Sequence, residues 1–102
     1  MRIIKLRGKP SVCRTWYNNW IKKNINGSVL DIGKSTYWDY SGISYYYKSL
    51  DIDEKLSPDI LADICDNTIC GEQFGYILCN GMYERVKDPQ KMVDEVYRIL
   101  KK

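Results

Sequence analysis

Ser28-Val29-Leu30-Asp31-Ile32-Gly33 is the stretch on which the fold turns. It is largely apolar, at both odd and even positions, apart from Asp31, and it stops at a glycine. An apolar run without alternation suits a strand buried on both faces, as in a parallel sheet. The terminal glycine lets the backbone turn sharply or approach a ligand closely. Just upstream, Asn26-Gly27 is a stop signal for a helix predicted over 11–24, entered at Pro10-Ser11. Trp16, Trp20 and Ile21 fall at helical spacing within it, and both tryptophans are expected to pack in the core. Residues 1–8 read as a short extended arm.

Downstream of Gly33 three further strands are predicted, with no internal repeat. Residues 34–44 are polar and aromatic, with room for one or two helical turns. A second strand is predicted over 45–53 (YYYKSLDID), a third over 60–64 (ILADI) and a fourth over 74–79 (FGYILC), closed by Asn80-Gly81. Residues 82–87 read as a turn or short helix. Asp88-Pro89 then opens the clearest helix: Asp88 can accept hydrogen bonds from the first turn, and Pro89 lacks an N–H where none is needed. Met92, Val93, Val96, Ile99 and Leu100 form its apolar face, with Asp94 and Glu95 early and Arg98 late, matching the helix dipole. Helix, strand, short crossover, three strands and helix describe one α/β domain over 1–102, with an arm and helix at 1–27 and a core at 28–102.

Composition narrows the function classes. Sixteen Lys and Arg face thirteen Asp and Glu, a net charge of +3, and the two signs are interspersed. A phosphate-tracking surface needs a clustered basic stripe, so nucleic acid is not an expected partner. Nine tyrosines and three tryptophans against one phenylalanine indicate half-buried aromatic surface or a binding face. The cysteines are Cys13, Cys65, Cys70 and Cys79, and there is no histidine. Their spacing is looser than that of zinc ribbons, so no metal site is expected. Cys79 lies in an apolar run, where a free thiol acts as a small hydrophobe. No secretory leader and no membrane-length apolar run are visible, so a cytoplasmic location with reduced cysteines is expected.

In an open parallel sheet, ligands sit beyond the carboxyl ends of the strands, near the point where strand order reverses. Asp31 and Gly33 end the first predicted strand, Asp51 and Asp53 the second, and Asp63 the third; Asn80 and Gly81 follow the fourth. A carboxylate after a strand can accept hydrogen bonds from both hydroxyls of a ribose. Gly33-Lys34-Ser35 does not make a phosphate loop, because Ser28 stands where the leading glycine is required.

VLDIG at 29–33, SLDID at 49–53, PDILADI at 58–64 and FGYILCNGMYERVKDPQKMVDEVYRILK at 74–101, in this order, resemble the class I S-adenosylmethionine-dependent methyltransferases. Within the last block the resemblance rests on Phe74, Ile77, Glu84, Pro89, Glu95, Arg98, Leu100 and Lys101. It implies a Rossmann-like methyltransferase fold, truncated to about four mostly parallel strands between an N-terminal and a C-terminal helix. It implies S-adenosylmethionine as cofactor. Gly33 would lie against the amino-acid moiety with Asp31 nearby, Asp51 would hold the ribose hydroxyls, and Asp63 would face the adenine. Lys34 and Asn80 complete the expected cofactor-binding set, and no residue is assigned a catalytic role.

The departures shape the expected function. The family's GxGxG turn reads Gly33-Lys34-Ser35-Thr36-Tyr37 here, Gly75 replaces an acid, and Arg85 replaces a histidine. The chain ends before the family's fifth strand. The expectation is therefore a degenerate or minimal domain that binds S-adenosylmethionine with doubtful catalysis. The alternative is a non-enzymatic interaction protein that keeps only the fold. An apolar edge at 74–79 would recruit a second copy or a partner protein, there or at the terminal helix.

Overall fold

The computed structural model describes residues 12–33, 42, 46–79 and 86–102, the side chains of 12–14 excepted. The helix α1 (Val12–Asn24) precedes β1 (Val29–Ile32), β2 (Tyr47–Asp51), a 3-10 turn at Glu54–Leu56, β3 (Ile60–Leu61), β4 (Tyr76–Leu78) and α2 (Pro89–Ile99). The four strands form one sheet in the order β3-β2-β1-β4. Every pairing is parallel: Val29 stands opposite Tyr47 on one side and Tyr76 on the other, and Leu50 opposite Ile60. The α/β reading holds, and β1 is an inner strand, as its mainly apolar sequence suggested. All four β1 residues are buried.

Alternation along the strands divides the core in two. Leu30, Ile32 and Leu50 point to one face, where Ile64, Phe74, Met92 and Ile99 join them under α2. Val29 and Leu78 point to the other, where Ile21 and Ile25 close over them from α1 and the segment after it. The apolar periodicity of α2 is only partly its buried face. Met92 and Ile99 are buried, but Val93 is about half exposed and Glu95 takes a buried place instead. Asp88 begins the helix as expected, its Oδ1 accepting from Lys91 N at 3.1 Å with Pro89 behind it.

Several boundaries differ from the sequence reading. Trp16 and Trp20, expected in the core, are 67% and 51% exposed. Ile21 and Ile25 carry the inward face of α1, so the tryptophan spacing marked the outer face of the helix. The second strand stops at Asp51 because that side chain turns back to accept from Asp53 N at 2.9 Å. The third has two residues because Asp63 bridges Asp66 in a tight turn. Leu100 is not a helical face residue. It leaves α2 and bridges Phe74 in parallel, with Lys101 N donating to Phe74 O at 2.7 Å. Among the described residues β4 is one of the two edge strands, and these last residues pair just before its start, at Phe74. The predicted arm at 1–8, most of 34–44 and all of 80–85 lie outside the described residues. Among the described residues, no helix is long and apolar enough to cross a membrane.

Candidate functional site

The strand order places β1 between β2 and β4, so the chain reverses direction across the sheet at the carboxyl end of β1. Gly33 occupies that end. Its φ of 80° lies in the left-handed region, and its amide donates to Leu50 O at 2.8 Å. A residue with a Cβ would meet a steric cost of about 1–2 kcal/mol in this conformation. The glycine that closes the opening motif is thus required by the backbone itself.

Beside this turn, a cavity of about 300 Å³ opens at the carboxyl ends of β1, β2 and β3. Its floor is Ile32 and Leu50, and its acids are Asp51 and Asp63. Both carboxylates are held by the local chain. Asp51 Oδ1 accepts from Asp53 N, leaving Oδ2 for another donor, and Asp63 Oδ1 accepts from Cys65 N at 2.9 Å. A side chain fixed by its own turn keeps its aim when a ligand arrives, which lowers the ordering cost of binding. The volume falls at the small end of the range for organic ligand sites, and a mainly aliphatic lining with a few fixed polar groups is the usual make-up of such sites.

The predicted residues thus divide. Asp51 and Asp63 are brought together in one cavity, whose floor residue Ile32 directly precedes Gly33. Asp31 does not line the cavity. It shares the α1-facing side of β1 with Val29, is 2% exposed, and accepts from Tyr47 Oη at 2.5 Å. Lys34 and Asn80 lie outside the described residues. Asp53, the other acid after the second strand, starts the 3-10 turn, its Oδ1 accepting from Lys55 N.

Sequence reasoning did not single out Ile52, Val86 or Lys87, which also line the cavity. Ile52 is 70% exposed, an aliphatic side chain left on the surface directly after an acid. An apolar residue between Asp51 and Asp53 was a visible signal. Val86 and Lys87 carried none, because only the docking of α2 brings the residues before Asp88 to the sheet. Asp59 has a framing part: its Oδ2 accepts from Ser49 N at 2.8 Å, and its own N–H donates to Ser49 Oγ, tying the approach to β3 onto β2.

The thiols near the site are held neutral. Burial pushes the Cys79 thiol up to about 11, aided by the Asp31 carboxylate. Cys65 is also raised, chiefly by burial and further by Asp63 and Asp88, although its sulfur donates to Asp88 O at 3.5 Å. Cys65, Cys70 and Cys79 are all free. Among the described residues, no three metal-ligating side chains converge.

A family model described as a methyltransferase domain matches residues 26–102. A crystal structure described as that of MccD protein shares this fold with a TM-score of 0.66 at 21% identity, over 82% of this chain and 47% of that one. This chain therefore spans about half the length of that structure. No curated protein matches.

Proposed function

This chain belongs to the methyltransferase domain family, and from that premise we propose that the cavity beside Gly33 binds S-adenosylmethionine. The observation that carries the reading is the convergence of Asp51 and Asp63 on one cavity of about 300 Å³ with aliphatic walls. The residues present fit the group. A nucleoside offers a flat apolar base, a ribose with vicinal hydroxyl donors and an exocyclic amine. Asp51 Oδ2 can accept from the hydroxyls, Ile52 and the aliphatic walls can cover the base, and Asp63 can accept from an amine. Gly33, with its positive φ, directly follows Ile32 of the cavity floor, which supports a close backbone approach there. When bound, this cofactor supplies an electrophilic methyl group on a sulfonium.

The chain's own contribution is positioning, the main requirement of such a transfer. Binding is the part of the function that its residues support. Ser35 and Tyr37 put side chains where the family turn usually has glycine, which stands against efficient turnover by this chain alone.

Calorimetric titration with S-adenosylmethionine and S-adenosylhomocysteine tests the reading. Saturable binding of either supports it, and absence of heat at millimolar ligand removes it. Asp51→Ala should weaken binding by ~1.5–3 kcal/mol, the scale of hydrogen bonds to a charged group. An unchanged affinity in that variant would remove the assigned role of Asp51.

A further inference from the structure

Asp63 stands at the head of a loop with no regular structure, and a polar network from α2 reaches the carbonyl of the next residue, Ile64. The Arg98 guanidinium is the hub. Its Nε donates to Glu95 Oε2 at 2.6 Å, its Nη1 to Ile69 O at 2.6 Å, and its Nη2 to Asn67 Oδ1 at 3.2 Å. The Asn67 amide then reaches both ways. Nδ2 donates to Ile64 O at 2.8 Å and to Glu95 Oε1 at 3.3 Å, while Oδ1 also accepts from Ile69 N at 3.0 Å. Ile64 is the residue after Asp63, and the Asp63 carboxylate itself accepts from Cys65 N.

The chemistry of this network says what it is for. Attachment of α2 alone does not need it, since Met92 and Ile99 already bury that helix against the sheet. The Arg98 side chain is 39% exposed, and an ion pair open to solvent adds little to stability. A planar guanidinium with donors in a fixed fork adds directional definition. Here the fork reads a loop carbonyl and a loop amide at once. Asn67 passes that definition to the Ile64 carbonyl, at the edge of the cavity.

We infer that Arg98, Glu95 and Asn67 are positioning residues that set the Asp63 carboxylate for the ligand. This inference rests on the proposed binding of S-adenosylmethionine. Arg98 and Glu95 do not line the cavity. They act through Asn67 and the 63–66 turn.

A double-mutant cycle combined with amide hydrogen exchange tests it. Asn67→Ala should lower the affinity for S-adenosylhomocysteine by about tenfold, and in an Asp63→Asn background the same change should cost less than about twofold. Non-additivity of that kind marks two residues acting as one unit. Arg98→Lys keeps the charge but loses the fork, so it should reproduce part of the loss. In the free protein, Asn67→Ala and Arg98→Lys should speed exchange of the Cys65 amide and leave those of Leu30 and Ile32 in β1 unchanged. Additive losses of affinity, or faster exchange throughout the sheet, would mean that the network only stabilises the fold, and would overturn the inference. Wild-type protein that binds, with Asn67→Ala binding equally well, overturns the inference alone. Wild-type protein that binds neither compound overturns the functional reading and the inference with it.

Discussion

Asp31 in β1 and Cys79 just after β4 were read in different ways, Asp31 as a ligand contact and Cys79 as a small hydrophobe. Cys79 conforms: it packs against the α2-side core, and burial together with the Asp31 charge raises its thiol to about 11. A thiol so raised is protonated at neutral pH and is a poor nucleophile. With a thiol alkylating reagent near pH 8, exposed Cys70 should therefore label well before Cys79, as read by peptide mass mapping. Equal rates would contradict the burial of Cys79. Asp31 is not among the residues that line the cavity: alternation turns it toward Tyr47. Its position in the motif was legible. The face it would occupy depended on which neighbours flank β1.

At the scale of elements, α2 shows what periodicity can and cannot reveal. Its capping by Asp88 and Pro89 follows from local chemistry and is seen in the structure. Its face does not follow in the same way. Glu95 lies on the buried side because Arg98, one turn on, and Asn67 from a loop 28 residues earlier in the chain supply its partners. The Arg98 hydrogen bond, its charge and that of Lys91 hold the Glu95 carboxyl below its ordinary value of 4.5. A carboxyl with a lowered folded pKa releases its proton more readily in the folded state than in the unfolded one. Its stabilisation is present above pH 4.5 and is lost as pH falls through the lowered value. Glu95→Gln should therefore flatten the acid limb of a plot of urea midpoint against pH. A limb of unchanged slope would show that Glu95 does not contribute to it.

For the molecule as a whole, Phe74 joins the parts. It is fully buried, its ring lies 5.8 Å from that of Tyr46, and its backbone pairs with the residues leaving α2. It thus links the start of β4, the α2-side core and the end of the chain. Phe74→Ala should cost about 3–5 kcal/mol in urea unfolding, the range for removing a buried aromatic ring. A loss below about 1 kcal/mol would show that α2 docks without it. The same docking delivers Val86 and Lys87 to the cavity, so the site depends on an element remote from the acids that define it.

The amino-acid order alone determined the buried inner strand at Val29–Ile32, the glycine after it, the capped start of α2 and the acids at the ends of β2 and β3. Each of these rests on an interaction within a few residues: a period, a cap, a backbone angle, a side chain accepting from an amide two positions on. Tertiary structure decided the outward Trp16 and Trp20, the inward Asp31, the linkage of Glu95 and Arg98 to Asn67, and the entry of Val86 and Lys87 into the cavity. Those outcomes depend on which distant surface arrives opposite a side chain, and pairwise spacing along one chain does not encode that. The acids were therefore visible before the fold was known, whereas the walls around them and the network behind them were not.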